Sequence, residues 1–195
     1  MLSSFSCLPL NFYNRPAVEV ARALIGQIII TNQDGTPTAV CIQETEAYQG
    51  EEDLACHARA GRTPRTAVMY GPPGRAYIYF NYGMHWLFNA VTGREGEPAA
   101  VLIRSAVPLQ GLEHIAARRA GRPSQEWCSG PAKLTRALGI DGRLNGLDLT
   151  DPTGPLWIAR GSRTPGQPIH SGPRIGIDRV PEPWRSIPWR FWVSE

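Results

Sequence analysis

Two runs of strand-forming residues on either side of Asp34-Gly35 constrain this chain more than any other feature. Gln27–Thr31 is rich in β-branched residues, Thr38–Glu46 is a second extended run, and Asp-Gly is a turn dipeptide that joins antiparallel strands. A chain with such a hairpin near its start is expected to build an antiparallel sheet. Side chains alternate along a strand, so Val40, Ile42, Glu44 and Glu46 share one face if no bulge intervenes. Two carboxylates continuing an apolar face are unusual, because burying a charge is costly unless it is paired or put to use.

The remaining elements follow from local pattern. Asn14 is placed to cap a helix with Pro16 in its first turn. Ala17–Ile25 carries apolar residues at helical spacing, and Gly26 ends it. Gln49–Pro73 has no periodicity and reads as a long loop, a segment type that is usually functional or mobile. Strands are expected at Ala76–Asn81, Met84–Val91 and Ala99–Ala106, with the first two joined around Tyr82-Gly83. Leu112–Ala120 reads as a short amphipathic helix, and Ser129-Gly130-Pro131 opens another that Gly139 closes. Leu147–Leu149, Leu156–Arg160, Arg174–Asp178 and Arg190–Val193 read as short strands, and Thr164–Gly172 as a flexible connector. Together these predict one α+β domain spanning residues 1–195, a curved, mostly antiparallel sheet with flanking helices.

Composition narrows the class. The length of 195 residues suits one well-cored domain. Hydrophobic content of 42% with 19% charged residues fits a globular chain. No apolar run approaches the ~18 residues of a transmembrane helix. The segment from Met1 to Leu10 lacks a basic region and a long apolar stretch, so it does not read as a secretion signal. Cys7, Cys41, Cys56 and Cys128 have no C-x-x-C spacing and read as reduced thiols in a cytoplasmic protein. Of the 20 basic residues only Lys133 is a lysine. Arginine forks suit phosphate oxygens, although codon bias alone explains such a skew. Two clusters, Arg59, Arg62, Arg65, Arg75 and Arg118, Arg119, Arg122, permit nucleic-acid binding.

The chemistry concentrates between Cys41 and Gly83. Glu46, beside Tyr48 near a strand end, is placed to deprotonate a water; a salt bridge to an arginine is the competing explanation. Glu44 is structural or the second member of a carboxylate pair of the kind that hydrolyses glycosidic bonds. His57 is a structural or a pocket histidine. Glu44, Glu46, Asp53 and His57 match no standard metal spacing. On a regular strand Tyr77 and Tyr79 face one way and Tyr82 the other, and Tyr82-Gly83 falls at a turn, where an exposed aromatic has little structural reason to be. Aromatic faces stack on a flat base, which joins with the carboxylate and the arginines to suggest acid–base chemistry on a nucleobase. With Lys133 the sole lysine, a Schiff-base route is less economical than one through water. Lys133 lies just inside a helix N-terminus, where a phosphate contact is favoured.

These residues carry a resemblance. Glu44-Thr45-Glu46-Ala47-Tyr48, His57, Tyr77-Ile78-Tyr79-Phe80-Asn81-Tyr82-Gly83-Met84, Asn89, Arg104 and Ser129-Gly130-Pro131-Ala132-Lys133-Leu134 resemble the alkyladenine (3-methyladenine) DNA glycosylase family, of mammalian type and found also in bacteria. Phe12-Tyr13-Asn14-Arg15-Pro16-Ala17 and Leu24-Ile25-Gly26 fit as well, so the likeness runs over roughly residues 10 to 193. Thr66, where asparagine is expected, Tyr70, where phenylalanine is usual, and His85 depart from the pattern.

The resemblance implies a fold related to the C-terminal domain of methionyl-tRNA formyltransferase and a monofunctional glycosylase of base excision repair. Such an enzyme takes double-stranded DNA containing damaged purines, needs no metal or organic cofactor, and acts as a monomer in the cytoplasm at the nucleoid. It assigns Glu46 as general base, with Arg104 beside it and the nucleotide backbone. Tyr48, His57 and Tyr79 would sandwich and hydrogen-bond the flipped base, and Asn89 would help exclude guanine. Tyr82 would wedge into the duplex with Met84 beside it. A non-catalytic damaged-DNA recognition module is the alternative, and a metal-dependent nuclease a third reading.

Overall fold

A computed structural model describes residues 5–33, 35–162 and 167–194 of the chain. In order, the elements are helices α1 (Leu10–Tyr13) and α2 (Ala17–Leu24), strands β1 (Ile28–Gln33), β2 (Thr36–Gln49), β3 (Ala76–Asn81), β4 (His85–Val91) and β5 (Ala99–Gln110), helices α3 (Leu112–Arg118) and α4 (Pro131–Leu138), and strands β6 (Leu156–Ala159), β7 (Ile169–Gly172) and β8 (Arg190–Val193). They form the predicted α+β architecture around one curled sheet. Its path is β3-β4-β5-β2-β1-β6, β8 lies alongside the distal half of β2, and β7 pairs with β8. Every pairing of strands is antiparallel.

Helix α2 packs as its pattern dictates. Ala17, Val20, Ala21 and Leu24 recur at helical spacing and are all fully buried against the sheet. Asn14 does not cap it. Pro16 occupies the N-cap position, and the amide of Ala17 donates instead to Oε1 of Gln49, at the far end of β2. Helix α4 begins at Pro131 and stops at Gly139, whose φ of +68° is the left-handed conformation of a glycine C-cap.

Three local readings fail, each for a physical reason. Leu147–Leu149 forms no strand, only a bridge from Asp148 to Arg75, because the Asp148 side chain accepts from the Thr150 amide and turns the chain. Arg174–Asp178 is irregular, with Gly176 at φ +78° and the Arg174 side chain drawn into the interior. Within the expected connector Thr164–Gly172, residues 164–166 lie outside the described residues, but Ile169–Gly172 is a strand, held by register with β8 and not by any pattern of its own. Asp34 also lies outside the described residues; the hairpin it signalled is present, with Gln33 opposite Thr36.

The alternation expected along β2 is broken. Val40 and Ile42 belong to the main core, and so do Ala47 and the buried Thr45 next to it, whose hydroxyl donates to the carbonyl of Ala21. Even-numbered positions face the core before Gln43 and odd-numbered ones after it. The pairing with β5 shows why: Ile42 opposes Ala106, Glu44 opposes Ser105 and Thr45 opposes Ile103. Gln43 is an extra residue on β2, and Arg104 is a matching extra residue on β5. These paired bulges turn Glu44, Glu46 and Tyr48 to the opposite face from Val40 and Ile42.

That opposite face is covered by the long segment between β2 and β3, which contains two 3₁₀ turns, His57–Ala60 and Ala67–Tyr70. A second cluster of Cys56, Ala58, Met69, Tyr77, Val91 and Ala100 forms there. The sheet is therefore buried on both faces, by helices on one and by this loop on the other, and the candidate site lies under the loop.

Candidate active site

Strand register alone places most of the site. Reading across the sheet, Tyr77 is opposite Asn89, Asn89 opposite Leu102, Leu102 opposite Glu46, and Glu46 opposite Arg190. One row thus carries two polar wall residues and a carboxylate on the loop-covered face. In the neighbouring row Tyr48 opposes Ala100, whose small side chain leaves space beside the tyrosine ring. The cavity between sheet and loop has a volume of about 280 Å³ and is walled by Tyr48, His57, Tyr77, Tyr79, Asn89 and Arg104 among others. This is near the lower end of the size range of small-molecule sites. A wider cleft of about 1020 Å³ beside Arg15, Glu51 and Trp189 contains none of these residues.

Glu46 is fully buried. Its Oε2 accepts from the Tyr48 hydroxyl at 2.8 Å and from Nη1 of Arg104 at 3.2 Å, and its Oε1 accepts from the Ile175 amide at 2.7 Å. A carboxylate accepts at about four sites, so three are filled and one remains on Oε1. Burial raises its pKa, while Arg104, the Ile175 amide and the Tyr48 hydroxyl oppose that rise. Glu46 is not in the cavity wall. It sits directly behind Tyr48, Arg104 and Ile175, which are. Glu44 is held by Nε of Arg104 and Nη1 of Arg190, both at 3.1 Å, so Arg104 bridges the carboxylate pair. The salt-bridge reading of Glu46 is thus correct as geometry, and the same contact opposes the rise in pKa that burial imposes.

His57 enters from the first 3₁₀ turn. Its Nδ1 is 2.9 Å from the Tyr77 hydroxyl, and its ring meets Tyr79 edge-on at 4.5 Å. Burial together with Arg65 and Arg59 depresses its pKa to about 4, so the imidazole is neutral at pH 7. Tyr77 and Tyr79 both line the cavity, 5.4 Å apart, as their alternation predicts. Asn89 donates its amide to the Tyr77 carbonyl at 2.9 Å.

Tyr82 is 83% exposed and stands at the rim of the cavity. It is the sole non-glycine residue among those described with positive φ, at +50°. With Gly83 at +65° and the Met84 amide bonded to the Asn81 carbonyl, it forms a turn with both central residues left-handed. An aromatic residue in that conformation is strained, and such strain collects at functional sites. Met84 is 67% exposed on the same turn and does not line the cavity.

Lys133 pairs with Glu126 at 3.1 Å and lies outside the cavity wall. Arg118 donates to the Ala137 carbonyl and to Thr36, and Arg119 is buried, so part of the second basic cluster is structural. Asp53 forms a buried pair with Arg174 rather than joining Glu44, Glu46 and His57, and those four residues do not converge. The Ile175 amide and Arg174 were invisible in the sequence, because backbone donors leave no residue signature and this segment reads as a strand.

Comparison with known proteins places the chain among the DNA glycosylases. It belongs to the methylpurine-DNA glycosylase family, whose sequence model matches residues 11–195. Similar proteins include one from Bacillus licheniformis, 46% identical over 96% of this chain and 93% of its own length. A second, from Carboxydothermus hydrogenoformans, is 44% identical over 96% and 95%. A third, from Frankia casuarinae, is 44% identical over 94% and 87%. Each of the three is named "Putative 3-methyladenine DNA glycosylase". No helix among the described residues is long and apolar enough to cross a membrane.

Proposed function

We propose that this chain is a monofunctional glycosylase that flips a damaged purine out of duplex DNA and hydrolyses its N-glycosidic bond with a water activated by Glu46. The observation that carries this reading is a fully buried carboxylate, held by three donors with one acceptor site free, immediately behind an aromatic cavity. The proposed substrates are 3-methyladenine and 7-methylguanine, with hypoxanthine or ethenoadenine as further candidates that the base-release test decides.

In this reading Tyr82 wedges into the duplex, with Met84 beside it, and Tyr48, Tyr79 and His57 receive the extruded base. Extrusion costs a few kcal/mol, least for a poorly paired base. Stacking returns about 1–3 kcal/mol per base, which is enough to offset it. Asn89 excludes guanine from the floor of the pocket. A water on the free Oε1 site loses a proton to Glu46 as its oxygen bonds to C1′, and the bond from C1′ to the base nitrogen breaks with its electron pair leaving on the base. An N-alkylated purine is cationic and leaves readily; a neutral one requires a proton or hydrogen bonds. Arg104 favours the ionised form of Glu46 against the effect of burial and faces the nucleotide backbone. The protein works as a monomer in the cytoplasm, at the nucleoid, without a cofactor.

The test is release of free base from duplexes carrying one alkylated adenine or hypoxanthine, in chelator, comparing wild type with Glu46→Gln. Loss of a general base costs about 10²–10⁴-fold in rate, with lesion binding retained. Binding without release by the wild type would establish a recognition module instead, and equal release by both proteins would remove Glu46 from the mechanism.

A further inference from the structure

Arg174 is the most heavily committed side chain outside the cavity wall. Its Nη1 donates to Oδ2 of Asp53 at 2.6 Å and to the Ala47 carbonyl at 2.9 Å. Its Nη2 donates to Oδ1 of Asp53 at 2.9 Å and to the Trp184 carbonyl at 3.2 Å. Both charged side chains are fully buried. Two aromatic rings also contact the guanidinium, Tyr48 at 4.7 Å and Trp189 at 5.3 Å. Asp53 accepts in addition from the amides of Gln49 and Ala55.

These contacts tie the loop that roofs the cavity to strand β2 and to the C-terminal segment, which the sheet joins to each other but not to the loop. Ala47 lies between Glu46 and Tyr48. Asp53 opens the loop that roofs the cavity, Trp184 and Trp189 belong to the C-terminal segment, and Ile175, next to Arg174, supplies the amide that grips Glu46. The segment around Ile175 has no strand partner, and the Ile175 side chain is half exposed. Beyond the end of β7 at Gly172 its backbone is held by side chains, Arg190 donating to the Pro173 carbonyl at 2.9 Å and Arg174 anchored to Asp53, and not by a ladder. A bidentate, stacked guanidinium fixes position and rotation together, which a lysine at the same place would not do.

We propose that Asp53 and Arg174 are positioning residues: their ion pair fixes the Ile175 amide against Glu46 and the Tyr48 ring against the cavity, so that the carboxylate is held aimed. This goes one step beyond the role given to Glu46 above and rests on it for its link to catalysis, but not for its geometry. The charged and titratable groups around Glu46 are Glu44 and Tyr48 on its own strand, Arg104 on β5, Arg190 on β8, Tyr79 on β3 and Arg174 beside Ile175. Asp53→Asn leaves the Arg174 charge unpaired, which opposes the upward shift from a lost Ile175 amide; Ile175→Pro, which keeps the ion pair, isolates that shift.

The decisive measurement is a ¹³C NMR titration of the Glu46 carboxyl in the full-length wild type and in Asp53→Asn, read alongside single-turnover base release as a function of pH. Loss of the Ile175 donor moves the Glu46 titration, and the acid limb of the rate profile, to higher pH. It lowers the maximal rate about 10- to 100-fold, the scale of a misplaced catalytic group, with lesion-DNA affinity within about twofold. Ile175→Pro deletes the same amide without touching the ion pair and serves if Asp53→Asn folds poorly. It reproduces the shift, and in combination the two variants are no worse than either alone. Asp53→Glu, which keeps the charge, recovers part of the rate. A Glu46 titration unchanged in Asp53→Asn and in Ile175→Pro overturns the proposal, as does strict additivity of the two. Absence of base release by the wild type defeats the catalytic reading alone, because the NMR titration still decides the positioning.

Discussion

The hydroxyl of Tyr48 donates to Oε2 of Glu46 at 2.8 Å, so one side chain both walls the cavity and holds the buried carboxylate. The two residues lie two apart on β2, on the same face, and their bond follows from extended backbone geometry alone. In the proposed reaction, stacking of a base and proton transfer by the carboxylate would be coupled through a single ring.

Replacing Tyr48 with phenylalanine separates these roles. The ring and its stacking stay, while Glu46 loses one of three donors. The expected result is a rate about 10-fold lower with the acid limb displaced upward and lesion affinity unchanged. Tyr48→Ala loses the stack as well, weakening binding by about 1–3 kcal/mol. Single-turnover rates across pH and equilibrium binding to a lesion duplex distinguish the two.

His57 makes stability depend on pH. Its folded pKa of about 4 lies below the unfolded value of 6.5. The unfolded chain therefore binds more protons between those values, and this contribution is present above pH 6.5 and lost as pH falls toward 4. The slope approaches about 1.4 kcal/mol per pH unit within that window. Urea unfolding of wild type and His57→Gln at pH 4.5 and 7 checks it: the variant loses less stability on acidification.

Tyr82→Gly removes the side chain at the rim and places a residue suited to φ +50° on the turn. The side chain is mostly exposed, so stability stays within about 0.5 kcal/mol of wild type. Flipping, read by the fluorescence of a reporter base beside the lesion, falls. A flipping equilibrium unchanged in this variant would exclude Tyr82 as the wedge.

Gly111 tests the fold independently. It precedes α3 at φ +72°, and a Cβ there would run into the Pro37 carbonyl and approach Thr38 Cγ2 at 2.8 Å. The Pro37 carbonyl and the Thr38 Cα, 3.1 Å away, are backbone atoms that cannot yield without disturbing the pairing of β1 with β2. Gly111→Ala lowers stability by about 2 kcal/mol or more, measured as a shift of the unfolding midpoint.

How much of this was readable in advance differs by element. The strand Ala76–Asn81 and the helix opened by Ser129-Gly130-Pro131 were legible because alternation and capping are local signals. Tyr48, His57, Tyr79 and Asn89 were picked out and do line one cavity, although only their residue types and a family likeness pointed to them. Strand β7 was not legible, since its existence depends on β8 more than twenty residues away. Nor was the Ile175 amide, which every residue but proline can supply. The Asp53–Arg174 pair joins positions 121 apart, a distance over which a single sequence carries no pairing information.

The matched extra residues at Gln43 and Arg104 give the site an unusual kind of fragility. Whether a carboxylate points toward the core or toward the loop is decided by parity, that is, by how many residues precede it and not by which ones. Point substitutions at Gln43 leave that count intact and are tolerated. Pairing both extra residues into a regular ladder would point Glu46 into the helices, whereas deleting both makes Ile42 and Glu44 consecutive, leaves Glu46 on the loop face and removes Arg104, the donor that bridges the two carboxylates. Length variation in the loops around these strands leaves the site alone, but one residue gained between Glu44 and Tyr48 and paired into the ladder would turn Tyr48 toward the helices, so such a homologue would keep every side chain of this site and lose the site itself.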